Sequence, residues 1–155
     1  MKKIISFAGS NSSTSINKQL VKYVSSLIND TEVEYISLED YEPPMFSEDL
    51  EKEIGSHQKI KDLLEKLDEA DGLIVSTPEH NSMPPAFFKN ILDWLSRTGK
   101  TVLNGKGYLD GKQVLLLSSG PGGGGARGAQ ELVAKMLNYG GANIIDTFSL
   151  PSFYE

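Results

Sequence analysis

The sequence predicts an α/β protein in which a five-stranded parallel sheet, in the strand order 2-1-3-4-5, lies between two layers of helices. Short apolar runs alternate along the chain with segments whose apolar residues recur at helical spacing. Three of these runs are apolar throughout and two are mixed, which is typical of central and edge strands respectively. The chain has 155 residues and no internal repeat, so we expect a single domain over residues 1–155.

The first half of the chain predicts two strands and two helices. Residues 4–8 form a short apolar run, as expected of a buried strand, and residues 16–27 carry apolar side chains at helical spacing. Val33 and Tyr35 alternate with Glu32 and Glu34, which indicates an edge strand with one solvated face that extends toward Leu38. A polar loop containing prolines is predicted over 39–53, and a second helix over 60–67.

The second half predicts three strands and two helices. Residues 72–76 (GLIVS) and 113–119 (QVLLLSS) are the most apolar strands, and a helix begins at Pro84 and Pro85 between them. The helix over 129–137 stops at a pair of glycines, and residues 142–150 form the last strand. No helix is predicted after that strand, so we expect apolar surface there that a partner or a further segment would cover.

Composition narrows the class of function. The net charge of −6 argues against binding to nucleic acid, which requires clustered lysine and arginine. The chain has no cysteine, which excludes disulfides and thiolate metal sites, and its two histidines are too few for a histidine metal cluster. No apolar run approaches the roughly 20 residues of a membrane helix or the length of a signal peptide. We therefore expect a cytoplasmic protein.

Residues 9–17 (GSNSSTSIN) follow the first strand and open the first helix. Seven of these nine side chains are hydroxyls or amides, far more than one helix cap needs. Free N–H groups at a helix N-terminus bind phosphate, and hydroxyls add donors without formal charge. The loop therefore predicts a phosphate site in an acidic protein, whereas the simpler alternative is an N-cap at Ser15.

Residues 120–128 (GPGGGGARG) follow the fourth strand. Gly120, Gly122 and Gly125 spell the dinucleotide-binding pattern G-x-G-x-x-G, and Asp146 lies where a ribose-binding acid would be expected. That pattern belongs to the first βαβ unit of a nucleotide-binding sheet, whereas here only one strand follows it. We therefore favour a glycine loop that lets the backbone approach a flat ligand.

The chain resembles the NADPH-dependent FMN reductases, which include quinone, azo-dye and chromate reductases. Residues 76–97 (STPEHNSMPPAFFKNILDWLSR) are similar to that family's P-E-Y-N-x-S/G-x-P…K-N-x-x-D-W-x-S-R pattern. Residues 9–17 and 118–130 resemble its first and third ligand loops, and residues 38–51 its acidic loop, so the resemblance covers essentially the whole chain. It implies a flavodoxin-like three-layer sandwich.

The resemblance also implies FMN as cofactor, and NADPH or NADH as hydride donor to the flavin. A quinone, flavin, azo compound or similar small molecule would accept the electrons, and no side chain would be needed as a catalytic acid or base. The implied cofactor-binding residues lie in all three loops: Ser10, Ser12, Ser15, Ile16, Asn17, Pro78, Glu79, His80, Asn81, Ser82, Ser119, Gly120, Gly122 and Gly123.

Two positions depart from the family pattern. Ser12 replaces an arginine of the phosphate loop, and His80 replaces a tyrosine that we expect near the flavin. A serine cannot reproduce the charged contact of an arginine, so a carrier or redox sensor that binds FMN without hydride transfer stays an alternative. The predicted third helix, which carries Phe87, Ile91 and Trp94, has a second apolar stripe with Phe88, Leu92 and Leu95. One stripe must pack on the sheet, and the other is either additional core or a contact within a homodimer or tetramer, which we favour.

Overall fold

The fold is described from a computed structural model covering residues 2–155, so that Met1 lies outside the described residues. Five strands alternate with five α-helices and one short 3₁₀ helix. In chain order the elements are β1 (Lys3–Ala8), α1 (Ile16–Ser26), β2 (Glu32–Tyr35), the 3₁₀ helix (Leu38–Tyr41), α2 (Glu48–Ile54), α3 (Gln58–Asp68), β3 (Gly72–Thr77), α4 (Ala86–Val102), β4 (Gln113–Ser119), α5 (Arg127–Tyr139) and β5 (Asn143–Leu150).

The sheet has the predicted order β2-β1-β3-β4-β5, and every neighbouring pair is parallel. Its three central strands are those that read as apolar throughout, and they are the most buried. The sheet is parallel, so the loops that follow β1, β3 and β4 meet at one edge. The predicted α/β class and topology are confirmed.

Helices cover the sheet unequally. The larger core lies between the sheet and α3, α4 and α5, and its largest fully buried side chains are Trp94 and Phe88. The opposite face is covered by α1 alone, through a small cluster that includes Leu20, Val21 and Leu117. These two cores hold β1, β3 and β4 from both sides and fix the edge where their loops meet.

The segment predicted as a polar loop over 39–53 contains two helices. Leu38, expected at the end of the second strand, begins the 3₁₀ helix and is buried. The second helix, α2, is capped by Ser47, whose hydroxyl accepts a hydrogen bond from the Leu50 amide at 3.1 Å. Three acidic residues in its first turn favour the positive end of the helix dipole. Local capping thus forms a helix where apolar periodicity is absent.

The apolar side chains of α4 pack within a single chain. Ile91 and Trp94 are 1% and 0% exposed, as expected if they belong to the core, whereas a homodimer or tetramer through this helix stays a prediction. The Trp94 indole donates a hydrogen bond to the Pro44 carbonyl at 2.9 Å, and Phe46 packs edge-on against its ring. Asn90 accepts from the Phe46 amide at 2.8 Å. This helix therefore anchors the loop before α2, an irregular partner that periodicity does not reveal.

The last strand is poorly covered, as predicted. Ile145 and Phe148 are 59% and 52% exposed. Residues 151–155 form no helix and instead turn back toward the loop after β4. No helix in residues 2–155 combines the length and hydropathy of a membrane-spanning segment.

Candidate active site

A cleft of about 320 Å³ lies at the edge of the sheet where the loops after β1, β3 and β4 meet. Most of the residues predicted to bind a cofactor line it: Ser10, Ser12, Ser15, Ile16, Asn17, Pro78, Glu79, His80, Ser119, Gly120 and Gly122. Four further residues line it that were not among the predicted cofactor-binding residues: Pro121, Gly124, Gly125 and Ala126. The topology therefore brings three separate motifs into one concave surface.

The first wall is the N-terminus of α1. Ser15 caps this helix, because its hydroxyl accepts from the Lys18 amide at 3.2 Å. Among residues 2–155, the backbone N–H groups of Ile16 and Asn17 donate to no protein acceptor. Unused amides at a helix N-terminus form an anion-binding site. Both the cap and the free amides predicted for this loop are present together.

The hydroxyls of this loop also shape it. Ser10 Oγ accepts from the Ser12 amide at 3.2 Å, and Ser12 Oγ accepts from the Thr14 amide at 3.3 Å. Each bond closes a tight turn between residues two apart, which holds the loop open toward the cleft. The hydroxyl proton of Ser10 remains available to a ligand, whereas the Ser12 hydroxyl also lies 3.3 Å from the Thr14 hydroxyl, with which it shares a hydrogen bond.

The second wall is the loop after β3. Pro78, Glu79 and His80 line the cleft, whereas Asn81 and Ser82 form the tip of a two-residue turn. The His80 and Met83 backbones bond to each other in both directions, at 2.9 and 3.1 Å. Positive φ values of 53° at Asn81 and 65° at Ser82 are those of a type I′ turn. Asn81 and Ser82 therefore lie beyond the lining, and their assignment to the cofactor stays a prediction.

Glu79 connects this loop to the third wall. Its carboxylate accepts a hydrogen bond from the Ala129 amide at 2.9 Å, in the first turn of α5. A carboxylate at a helix N-terminus is stabilised by the helix dipole, so Glu79 compensates for the lack of a side-chain cap on this helix. The contact fixes the spacing between the loops after β3 and β4.

The third wall is the glycine loop, and its glycines have different reasons to be glycine. At Gly125 the backbone φ is +58°, and an added Cβ would collide with the Ser149 hydroxyl. At Gly122, Gly123 and Gly124 an added Cβ would meet nothing within 4 Å, and φ is ordinary. The chain itself therefore requires glycine only at the first of these positions. A flat ligand lying against the loop would explain Gly122 and Gly124, two of the glycines that line the cleft.

The segment after β5 holds the outer side of this loop. The Ser152 amide donates to the Gly122 carbonyl at 3.0 Å, and the Phe153 amide donates to the Gly120 carbonyl at 3.2 Å. A loop without side chains depends on such backbone bonds for its shape. Residues 152–153 thus support the wall from behind.

The cleft contains no lysine or arginine among its lining residues. Lys18, one turn into α1, is engaged elsewhere, because its ammonium lies 2.6 Å from the Glu39 carboxylate. The hydrogen bond from Lys18, helped by the Ser37 hydroxyl, holds the pKa of Glu39 below its ordinary value. An anion in the cleft would therefore be held by amides and hydroxyls instead of by a cationic side chain.

The helical part of the 76–97 motif serves the fold. Arg97 forms a bidentate pair with Glu51, with Nε–Oε1 and Nη2–Oε2 distances of 2.8 and 2.7 Å, and so joins α4 to α2. Lys89 pairs with Asp93 one turn away at 2.7 Å. These residues, like Asn90 and Trp94, lie outside the cleft lining. The motif thus combines a cleft-lining half with a half that positions the acidic loop.

Comparison with known families agrees with this geometry. The model of the NADPH-dependent FMN reductases matches residues 2–155. The chain belongs to this family. Its members are oxidoreductases that use NAD(P)H and FMN, and the resemblance drawn from the three motifs is confirmed.

The relatives of this protein align with different shares of its chain. An uncharacterised protein of Mycoplasma pneumoniae is 36% identical over 137 residues, which are 86% of this chain and 78% of the relative. A quinone reductase of Escherichia coli is 38% identical over 66 residues, 43% of this chain and 35% of that protein. The flavoenzyme NAD(P)H:(acceptor) oxidoreductase FerB of Paracoccus denitrificans has a similar structure, with a TM-score of 0.75, 25% identity, and coverage of 97% of this chain and 77% of that one.

Proposed function

We propose that the cleft holds FMN and that the protein passes reducing equivalents from NAD(P)H to a quinone or a similar small acceptor. The observation that supports this most is the glycine loop. Gly122 and Gly124 line the cleft although neither packing nor φ in this chain requires glycine there. Family membership supplies the chemistry, and the quinone reductase relative favours the acceptor class.

The three walls suit the three parts of FMN. The free amides of Ile16 and Asn17, with the hydroxyls of Ser10 and Ser12, would bind the phosphate. The loop with Pro78, Glu79 and His80 would lie along one side of the ring system, and the glycine loop along the other. We keep Asn81, Ser82 and Gly123 as predicted backbone contacts at the edge of the site.

When bound, FMN would accept hydride from the nicotinamide and pass electrons to the acceptor. The chain's own residues would bind FMN, orient its ring system and shield it from water. The carboxylate of Glu79 is bonded to the α5 amide and is not aimed as a base, so it would set the width of the cleft. His80 lines the cleft on a rigid turn and would contact the ring or the incoming nicotinamide.

An anaerobic reduction experiment tests the proposal. The purified protein is loaded with FMN, NADPH or NADH is added without oxygen, and the visible absorbance of the flavin is followed. We expect rapid bleaching, at different rates for the two nucleotides, and reoxidation on addition of a benzoquinone. Tight binding of FMN without bleaching would favour the carrier or sensor alternative. Absence of FMN binding would refute the proposal.

We also propose a homodimer that uses the exposed side of α4 and α5. A groove there is lined by Leu92, Tyr108, Met136 and Tyr139, and Tyr139 is 70% exposed. Sedimentation velocity tests this: Tyr139→Glu should dissociate the dimer, whereas Tyr23→Glu, on exposed α1 surface, should not. A monomeric wild-type protein at tens of micromolar would refute it.

We propose the cytoplasm as location, because NAD(P)H is regenerated there.

A further inference from the structure

The side chain of Asn17 connects the first wall of the cleft, at the N-terminus of α1, to the strands that precede the other two walls. The residue lies in the first turn of α1, and it is 1% exposed. Its Oδ1 accepts from the Ser76 hydroxyl at 2.7 Å and from the Ser119 amide at 3.0 Å. Its Nδ2 donates to the Ser119 carbonyl at 3.0 Å. One side chain thus connects α1, β3 and β4.

These three bonds fix the orientation of the amide and use most of its capacity. The N–H of Ser119 requires an acceptor, and the carbonyl of Ser119 requires a donor, so Oδ1 and Nδ2 of Asn17 can take only one arrangement. With two donors already on Oδ1, that oxygen is saturated. Only one N–H of Nδ2 remains free to donate to a ligand. The side chain therefore has little capacity left for the phosphate contact that the family pattern implies.

The partners of Asn17 lie at the base of the cleft. Ser119 is the last residue of β4, directly before the glycine loop, and it is itself buried. Ser76 also holds the first loop by its backbone, because its carbonyl accepts from the Gly9 amide at 2.9 Å. The Asn17 side chain therefore sets the distance between the N-terminus of α1 and the start of the glycine loop.

We propose that Asn17 is a positioning residue, which fixes the phosphate-binding and ring-binding walls relative to each other through Ser119 and Ser76. This inference rests on the proposed binding of FMN. It differs from a ligand role in a measurable way. A side chain that binds only the phosphate affects FMN alone. Loss of the Asn17 contacts also frees Ser119 at the start of the glycine loop, so riboflavin, which has the same ring system and no phosphate, should lose affinity as well.

The experiment compares the dissociation constants of FMN and riboflavin for four proteins: wild type, Asn17→Ala, Ser76→Ala and Ser12→Ala. For Asn17→Ala we expect both affinities to fall, that of FMN by about tenfold or more. For Ser76→Ala, which removes one of the three bonds outside the cleft lining, we expect a smaller parallel loss. Ser12→Ala is the matched control inside the cleft, and it should weaken FMN while leaving riboflavin unchanged.

Amide hydrogen exchange of Ser119 in the flavin-free protein provides a second readout. We expect faster exchange in Asn17→Ala, because the amide loses its acceptor. If Asn17→Ala does not fold, Ser76→Ala carries the same test through its parallel loss of both affinities.

Selective loss of FMN in Asn17→Ala would assign its side chain to the phosphate and overturn the inference. Lower thermal stability with unchanged affinities would also overturn it, since the role would then be structural only. A wild-type protein that binds neither flavin would instead refute the proposed function, and unchanged Ser119 exchange would refute the contact itself.

Discussion

Substitution of three glycines in the loop after β4 should have three different effects. The comparison shows which glycine the bound ligand requires and which one the fold requires. Gly125→Ala should lower stability, Gly122→Val should lower FMN affinity, and Gly123→Val should change neither. Gly122 lines the cleft and has open space at its Cβ position, whereas Gly123 has the same open space but lies outside the lining. All three substitutions fall in the same loop, so each serves as a control for the others.

The magnitudes follow from the local geometry. Placing alanine at the φ of +58° at Gly125 costs roughly 1–2 kcal/mol, and the collision with Ser149, with Pro151 N only 3.2 Å away, adds about 1–3 kcal/mol. A loss of about 2 kcal/mol or more lowers the melting temperature by about 4 °C or more in a chain of this size. At Gly122, crowding of a bound flavin by about 1–3 kcal/mol corresponds to a loss in affinity of roughly 5-fold to 150-fold.

Two assays decide the outcome. Thermal unfolding of the flavin-free proteins should show a lower melting temperature for Gly125→Ala. The two valine variants should have a free energy of unfolding within about 0.5 kcal/mol of wild type. Titration with FMN should show the affinity loss in Gly122→Val. If Gly122→Val binds FMN as tightly as wild type, no flat ligand lies against this loop. If Gly123→Val loses affinity instead, the ligand lies further out than the cleft lining indicates.

Three further predictions concern the surroundings of the cleft. Asn90→Ala should lower the free energy of unfolding by about 1–3 kcal/mol in urea titrations, because it leaves the partly buried Phe46 amide without its acceptor, and a smaller loss would show that water replaces the contact. Lys18 holds the pKa of Glu39 below its ordinary value near 4.5, so its stabilisation is present above that pH and is lost as pH falls through the lowered pKa. Between pH 5 and pH 3, Glu39→Gln should therefore lose less stability than wild type, and equal losses would contradict the pairing. Deletion of residues 152–155 should weaken FMN binding through the glycine loop, whereas deletion of 154–155, which keeps both backbone bonds, should not.

The sequence predicted the sheet well because the signal was strong there. The continuous apolar runs at 72–76 and 113–119 leave little choice but central strands, and topology then places their loops at one edge. Most predicted site residues line the cleft for the same reason: they follow either those two strands or the first strand, whose loops lie at that edge.

What the sequence missed depends on contacts between distant segments. The spacing of apolar residues on α4 does not reveal that one of its two stripes packs against an irregular loop. In the structure, Trp94 bonds to the Pro44 carbonyl and packs against Phe46. The short α2 has no buried residue and hence no periodicity, although the Ser47 cap and the acidic first turn were a usable signal. The role of Asn17 required the positions of Ser76 and Ser119, which lie 59 and 102 residues away.

The absence of a cationic side chain from the cleft lining has a consequence for how the proposed binding of FMN depends on ionic strength. Sites built on arginine attract anions over long distances, and added salt weakens them by screening that attraction. Here the short-range donors are amides and hydroxyls, while the protein as a whole carries a net charge of −6 and repels a phosphate at long range. Salt screens this repulsion and leaves the local hydrogen bonds in place. Association with FMN should therefore become faster as ionic strength rises, the reverse of what an arginine-based site would show.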